Sequence, residues 1–242
     1  MNIVVLDGYT LNPGDLSWDR LRTMGDVTIY DRTPEALIVE RANDAEIVLT
    51  NKTPISSSTL AQLPKLRYIG VLATGYNIID VEAAAKQGII VTNIPDYSTY
   101  SVAQHTIALL LQLCSRVAEH AREVADGAWE RSPDFCFTVS PLTELYGKSI
   151  GIIGHGRIGQ QVGRAAAALG MQVLCVKRSS SPEQPIYGEH YISEDELLSQ
   201  ADVISLHCPL TARTERFINK NTISRMKEGA IILNTSRGAL ID

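Results

Sequence analysis

A glycine-rich turn between a strand and a helix constrains this chain more than any other feature of its sequence. The short apolar run Ser149–Ile153 predicts a buried strand, and the six residues after it, 154–159, read Gly-His-Gly-Arg-Ile-Gly. The alanine-rich stretch 160–169 predicts a helix, and the apolar run 171–176 predicts a second strand. A G-x-G-x-x-G hexamer alone arises often by chance, but between a strand and a helix it indicates a dinucleotide-binding turn.

Each glycine of the hexamer has a physical reason to be there if a dinucleotide binds. Gly154 allows the tight turn, Gly156 lets the backbone approach a pyrophosphate, and Gly159 lets the helix pack against the strand. The phosphates would lie against the unpaired N–H groups at the helix N-terminus. The alternative is a strand–helix turn with a purely structural role, and the surrounding pattern favours nucleotide binding.

Composition excludes several other classes of protein. The chain has 242 residues, of which 45% are hydrophobic and 20% charged, and its net charge of −5 gives no support for a nucleic-acid or anionic-membrane partner. The longest apolar stretch, 106–113, is too short to span a bilayer. The N-terminus starts directly in a predicted strand without a signal-peptide pattern, so the expected location is cytoplasmic. The four cysteines and five histidines show no metal-ligand spacing, and we predict no metal site.

The first hundred residues alternate predicted strands with predicted helices, including an amphipathic helix at 16–24. Strict alternation indicates an α/β fold in which helices cover both faces of a doubly wound parallel sheet. We therefore expect two such domains, one over residues 1–100 and the other over residues 101–242.

Two loops at predicted strand ends are candidate ligand sites, because ligands bind beyond the carboxyl ends of parallel strands. The backbone N–H groups of Ala73, Thr74 and Gly75 can form a nest for a small anion, with a plain strand–helix turn as the alternative. Lys52 can add positive charge to a cleft, although an exposed surface lysine is the more common case.

The region 101–146 has a different character. A capping box formed by Ser101 and Gln104 predicts a long helix that runs to about Val124. The segment 128–146 is rich in aromatic residues and has no periodicity, so it needs a surface to pack against. We predict a homodimer contact through residues 101–146, with packing on its own domain as the alternative.

Five motifs, in order along the chain, resemble the D-isomer-specific 2-hydroxyacid dehydrogenases: ATGYNIID at 73–80, SVAQHT at 101–106, GHGRIG at 154–159, HCPLT at 207–211 and NTSRG at 234–238. The segment 132–154 is most similar to the hydroxypyruvate reductase and glycerate dehydrogenase branch. The resemblance implies a flavodoxin-like substrate-binding domain over 1–100 and a Rossmann cofactor domain over 101–242.

The resemblance also implies an activity, the transfer of a hydride between NAD(P)H and a small 2-oxo or 2-hydroxy acid. Hydroxypyruvate or glyoxylate reduction is the leading expectation. D-lactate or phosphoglycerate-type dehydrogenation is the alternative within the class, and a dinucleotide-sensing binding protein of the same fold is the alternative outside it. By resemblance Arg237 is catalytic, and its planar guanidinium suits a carboxylate. Ala73, Thr74, Gly75 and Lys52 would bind the substrate. The remaining cofactor-binding residues implied by the motifs are Arg157, Ile158, His207, Pro209, Thr214, Thr235 and Ser236.

The choice of cofactor depends on the residues at the end of the predicted strand 171–176. Members that use NAD place an acidic residue there to bind the ribose hydroxyls. This chain instead has Lys177, Arg178, Ser179 and Ser180, which can bind a 2′-phosphate. We therefore favour NADP(H), with NAD(H) as the alternative.

The resemblance further places the general-acid histidine and its partner glutamate C-terminal to the arginine motif, beyond Asp242. The last helix of the substrate-binding domain would lie there too. On this expectation the chain is C-terminally truncated and inactive as it stands, because general acid–base help is worth about 10²–10⁴-fold in rate, whereas the intact protein is an active enzyme.

Overall fold

The structure is a computed structural model that describes residues 1–176 and 184–242. The chain divides into two compact units, Met1–Tyr97 and Ser98–Asp242, whereas the sequence predicted a boundary three residues later, after residue 100. Each unit contains one five-stranded parallel sheet. This confirms the predicted fold class, α/β with two doubly wound parallel sheets.

Short apolar runs form the strands of the first unit. Its strands are β1 (Asn2–Val5), β2 (Asp26–Ile29), β3 (Ile47–Thr50), β4 (Tyr68–Val71) and β5 (Ile90–Thr92). Its helices are α1 (Asp19–Arg22), α2 (Ile38–Ala42), α3 (Ser57–Leu60) and α4 (Val81–Lys86), with 3₁₀ turns at Gly8–Thr10 and Glu35–Leu37. The strand order β2-β1-β3-β4-β5 is that of flavodoxin-like sheets. The order reverses between β1 and β3, and this switch point is where such sheets bind ligands.

The first helix is much shorter than the sequence predicted. Instead of 16–24, only Asp19–Arg22 is helical, and Leu16 is 64% exposed. Asn12 explains the difference, because its Oδ1 accepts a hydrogen bond from Leu16 N (3.0 Å) and its Nδ2 donates to Leu16 O (2.7 Å). This side chain holds the preceding segment in a turn, a competition with helix that apolar periodicity does not register.

The second unit is built around the glycine turn. Its strands are β6 (Ser149–Ile153), β7 (Gln172–Val176), β8 (His190–Ile192), β9 (Val203–Leu206) and β10 (Ile231–Asn234). Its helices are α5 (Thr99–Ser115), α6 (Val117–Ala125), α7 (Ala128–Arg131), α8 (Arg157–Ala168), α9 (Glu194–Gln200) and α10 (Lys220–Ile223), with a 3₁₀ turn at Gly238–Leu240. The order β10-β9-β6-β7-β8 places the switch point between β6 and β9. The sequence did not predict the short edge strand β8.

The long helix predicted over 101–124 is two helices, and its predicted start is wrong. Helix α5 begins at Thr99 after Ser98, and Ser101 Oγ donates to Ser98 O (3.1 Å) rather than capping the helix. Arg116 adopts left-handed backbone angles (φ 52°) and separates α5 from α6. A non-glycine residue in this conformation ends a helix without any signal in the apolar pattern.

The aromatic segment after α6 leaves much of its apolar surface exposed. Trp129 is 57% exposed and Phe135 is 91% exposed. The Trp129 ring meets Phe137 edge-on, with ring centroids 5.7 Å apart. The sequence had predicted no regular structure here, but 128–131 forms the short helix α7.

No helix in the described part of the chain is long and apolar enough to cross a membrane. Among the same residues, no group of three or more His, Cys, Asp or Glu side chains is arranged to hold a metal ion. All four cysteines are free, and Cys114, Cys175 and Cys208 are buried.

Candidate active site

The buried carboxylate of Asp7 organises the switch point of the first unit. Asp7 follows β1 and is only 3% exposed. Its Oδ1 accepts from Asn51 N (2.8 Å), and its Oδ2 accepts from Lys52 N (2.5 Å), Thr53 N (2.7 Å) and Thr53 Oγ1 (3.0 Å). One carboxylate thus satisfies three successive backbone N–H groups of the loop after β3. Asp7 was not among the site residues predicted from the sequence, although a polar residue directly after an apolar strand was a usable signal.

The same contacts define where Lys52 lies. Its backbone is fixed on Asp7, while its side chain is exposed. Asn51 is 7% exposed, and its Nδ2 donates to Thr10 O (3.1 Å). The loop therefore presents a lysine from a rigid base at the carboxyl edge of the sheet.

The predicted anion-binding loop after β4 is fixed by hydrogen bonds to its carbonyl oxygens. Ala73 O accepts from Ile94 N (3.1 Å), and Thr74 O accepts from Asn93 Nδ2 (2.8 Å). The Thr74 hydroxyl donates to Ile94 O (3.0 Å). In contrast, the amide hydrogens of Ala73, Thr74 and Gly75 take part in none of the hydrogen bonds found among the described residues. The loop can thus offer three backbone donors to an anion.

In the second unit, the glycine turn is required by close backbone contacts. Gly154 has φ of 100°, and a Cβ at this position would lie 2.5 Å from the backbones of His207 and Cys208. A Cβ at Gly159 would lie 2.2 Å from Gly154 O, where α8 packs against the end of β6. These two glycines let β6, β9 and α8 approach one another, and no other residue type fits either place.

Gly156 differs, because a Cβ there would meet nothing within 4 Å. It is the N-cap of α8 and provides no side-chain cap, and Arg157 and Ile158 form the start of the helix directly after it. The twelve-residue helix α8 directs its positive dipole end to the same place. This arrangement fits the pyrophosphate of a dinucleotide.

The loops after β9 and β10 lie beside the glycine turn. Ser236 Oγ donates to Cys208 O (3.0 Å), which joins the two loops. Thr235 Oγ1 lies 3.0 Å from Thr106 Oγ1 on α5. The Thr214 hydroxyl donates to Pro209 O (2.6 Å) and closes the loop after β9. The structure thus brings the predicted residues 207, 209, 214, 235 and 236 together with the glycine turn in one unit.

Arg237 stands at the end of the β10 loop and is partly buried. Asn234 shapes this loop, since its Oδ1 accepts from Ser236 N (3.1 Å) and its Nδ2 donates to Arg237 O (2.9 Å). Arg237 Nη1 also donates to Ser236 O (3.2 Å). These bonds fix the backbone from which the guanidinium extends.

His207 is placed to stay neutral. Its Nε2 lies 2.8 Å from Ser205 Oγ, and burial lowers the pKa of His207 to about 4. The imidazole is therefore uncharged near pH 7. The predicted cofactor residues Lys177, Arg178 and Ser179 lie outside the described residues.

A parallel sheet with a glycine-lined helix N-terminus at its switch point defines the second unit as a dinucleotide-binding Rossmann domain. The family model for the D-isomer specific 2-hydroxyacid dehydrogenase NAD binding domain matches residues 107–242. A hydroxypyruvate reductase of Blautia hydrogenotrophica is 52% identical over 244 residues, covering 100% of this chain and 76% of that protein.

Solved structures show the same similarity. D-lactate dehydrogenase from Aquifex aeolicus, complexed with NAD and lactic acid, has a TM-score of 0.85 at 32% identity, covering 100% of this chain and 71% of that one. An acyclic imino acid reductase in complex with NADPH and D-Arg has a TM-score of 0.84 at 31% identity, covering 100% and 76%. The chain belongs to the D-isomer-specific 2-hydroxyacid dehydrogenase family, and it is an oxidoreductase acting on a CH–OH group. The resemblance stated from the motifs is confirmed.

The role of Asp7 leads to a prediction about stability. Asp7→Ala leaves three loop amides without their acceptor and should lower the free energy of unfolding of the first unit by about 2–4 kcal/mol. Trp18 reports on this unit and Trp129 on the other, so urea unfolding is followed by Trp18 fluorescence in a Trp129→Phe background.

Asp44→Ala is the matched control, because Asp44 pairs with Lys65 on the surface, with the two side chains 67% and 61% exposed. That change should cost less than about 1 kcal/mol. Equal losses for the two variants would contradict the role given to Asp7.

Proposed function

We propose that this protein reduces hydroxypyruvate or glyoxylate to the corresponding 2-hydroxy acid. The similarity over the whole chain to the Blautia hydroxypyruvate reductase carries the proposal. The structural similarity to the Aquifex D-lactate dehydrogenase supports a D-lactate-type activity as the second candidate, at lower identity. A comparison of kcat/KM for hydroxypyruvate, glyoxylate, pyruvate and 3-phosphohydroxypyruvate tests this choice.

We assign substrate binding to the first unit. The amides of Ala73, Thr74 and Gly75 would bind the substrate carboxylate, because they make none of the hydrogen bonds found among the described residues, whereas the oxygens of Ala73 and Thr74 are engaged. Lys52 would contribute positive charge, which attracts a small anion. Asp7 acts through these groups by fixing the loop that carries Lys52.

We assign cofactor binding and the catalytic arginine to the second unit. Gly154, Gly156 and Gly159 shape the turn, and the N–H groups of Arg157 and Ile158 would bind the pyrophosphate. A bound nicotinamide would supply the hydride for reduction. Arg237 would pair with the carboxylate and polarise the keto oxygen, since a guanidinium stays charged at any working pH.

We assign no general acid among the described histidines. Burial keeps His207 neutral, and His155 is bonded through both ring nitrogens to tyrosine hydroxyls. His120 Nδ1 lies 2.9 Å from Arg116 O, and its Nε2 accepts from Val139 N (3.2 Å). Each of these rings serves the structure of its own unit.

We also propose a cytoplasmic location, supported by free cysteines, because thiols stay reduced there.

The assignment of Arg237 predicts a large kinetic effect. Arg237→Gln should lower kcat/KM for hydroxypyruvate by about 10³-fold, and Arg237→Lys by a smaller factor, because lysine keeps the charge but loses the planar fork. The variant should also lose affinity for oxamate, an unreactive 2-oxo-acid analogue, with its dinucleotide affinity unchanged. Arg225→Gln is the control, since Arg225 pairs with Asp195 on the surface. An Arg237→Gln enzyme with near-normal kcat/KM would rule out the catalytic role.

We further propose a preference for NADP(H) over NAD(H), based on the cations at 177 and 178. One charge pair near a surface is worth on the order of 1–4 kcal/mol. Lys177→Glu should therefore shift the ratio of kcat/KM for NADPH to that for NADH at least about tenfold toward NADH. Lys148→Glu, a change at the residue directly before β6, should leave the ratio unchanged. A wild-type enzyme that prefers NADH would refute the proposal.

We also propose that the protein forms a homodimer through residues 101–146. The exposed apolar side chains of Val117, Trp129 and Phe135 in this region support the proposal, since monomers seldom expose such patches. Phe135→Ser should shift the molar mass measured by light scattering from dimer toward monomer. Leu16→Ser, an equally polar change at a residue 64% exposed in the first unit, should not. A wild-type monomer would disprove the interface.

A further inference from the structure

The second residue of the glycine turn, His155, is held by two tyrosines from a distant part of the chain. His155 Nε2 lies 2.6 Å from the hydroxyl of Tyr187, and its Nδ1 lies 3.1 Å from the hydroxyl of Tyr191. The two tyrosine rings flank the imidazole, with centroid distances of 5.8 Å and 5.7 Å. Neither the motifs nor the family match gives His155 a role.

The network ends at a buried carboxylate. Glu189 is fully buried, and its Oε1 accepts from the Tyr191 hydroxyl (3.0 Å). It also accepts from the backbone N–H groups of Ile186 and Tyr187, both at 3.0 Å. Burial alone would raise the pKa of Glu189, but these backbone hydrogen bonds hold it below its usual value, so the group is a carboxylate.

These partners allow only one arrangement of protons. Because Tyr191 donates to Glu189, its oxygen must accept from His155, which places the imidazole proton on Nδ1. Nε2 is then the acceptor for the Tyr187 hydroxyl. Burial lowers the pKa of His155, so the ring is neutral near pH 7 as this arrangement requires. Every buried polar atom of the network is satisfied.

Tyr187 also fixes helix α8. A Cβ at Gly163 would lie 2.2 Å from the Tyr187 hydroxyl oxygen, so the helix leaves space for this ring at a position with no side chain. The guanidinium of Arg164 lies 5.8 Å from the centre of the same ring. Residues 187–191 therefore attach to both the glycine turn and the helix whose N-terminus would face the pyrophosphate.

We propose that His155, Tyr187, Tyr191 and Glu189 form a positioning network that fixes the glycine turn for dinucleotide binding without touching the dinucleotide. This inference rests on the proposed binding of the cofactor at the turn. The network connects residues 186–191, which follow the segment carrying Lys177 and Arg178, to the backbone that would hold the pyrophosphate. Its four residues thus tune cofactor affinity while leaving the chemistry of Arg237 unchanged.

The test removes one hydroxyl at a time from the full chain. Tyr187→Phe and Tyr191→Phe keep the ring packing but leave one nitrogen of His155 without a partner. Each should raise the Kd for both NADPH and NADH, measured by fluorescence, about 3- to 10-fold, with kcat within about twofold of wild type. Tyr30→Phe is the control, because its ring lies under Arg41 (4.2 Å to the centroid) in the other unit.

A second measurement does not depend on variants. Nitrogen-15 NMR of histidine-labelled wild-type protein should show His155 as the neutral Nδ1–H tautomer at pH 7, with its signals shifting on addition of NADPH. An Nε2–H tautomer, or unchanged Kd values in both tyrosine variants, would overturn the network while leaving the proposed function intact. A wild-type protein that binds neither NADPH nor NADH would overturn both.

Discussion

The dinucleotide site depends on one point of contact, where the end of β6 meets the end of β9 with no space for a side chain between them. Gly154 takes a left-handed conformation there, and a Cβ would fall 2.5 Å from the facing backbone. This approach brings the loop after β9 beside the glycine turn, and Ser236 Oγ then joins the β10 loop to it at Cys208 O (3.0 Å). Since a closed backbone contact cannot be relaxed by moving a flexible side chain, any larger residue at 154 would displace all three loops together.

In the first unit, the loops at the switch point of the sheet are held by a charged side chain instead of a close backbone contact. Its sheet also reverses order beside its first strand, between β1 and β3, and there the carboxylate of Asp7 binds the amides of the neighbouring loop. That use of a carboxylate consumes the donors of residues 51–53, so this loop cannot bind an anion through its backbone. The loop after β4 is the reverse, since the oxygens of Ala73 and Thr74 are engaged, whereas the amides of residues 73–75 make none of the hydrogen bonds found among the described residues. This contrast supports the proposed binding of an anion at 73–75, with Lys52 acting through its side chain.

Local sequence patterns were sufficient for the parallel sheets and the glycine turn, because strand runs and G-x-G-x-x-G are short-range signals. They failed where a side chain overrides periodicity: Asn12 prevents the helix predicted at 16–24, and Arg116 divides the helix predicted at 101–124. They also missed the contacts of Asp7 and His155, whose partners are distant in the sequence. The hydrogen-bond partners of Asp7 in the loop after β3 lie 44 to 46 positions further along the chain. The two tyrosines bonded to His155 lie 32 and 36 positions further along. No periodicity connects residues so far apart, so only the folded chain shows these contacts.

Several residues of the sequence motifs make internal contacts that indicate a structural role. The hydroxyls of Thr214, Thr235 and Ser236 bond to Pro209 O, Thr106 Oγ1 and Cys208 O, so they already have partners within the second unit. Their hydroxyls therefore help to fix loop shape, and we propose that a ligand is bound by backbone N–H donors and long cationic side chains. A loop shaped by internal hydrogen bonds presents these donors without reorganisation, which favours binding of a charged ligand. Substrate choice within the family would then depend on the few side chains that extend from the loops of each unit, such as Lys52 after β3 of the first unit, rather than on the motifs themselves.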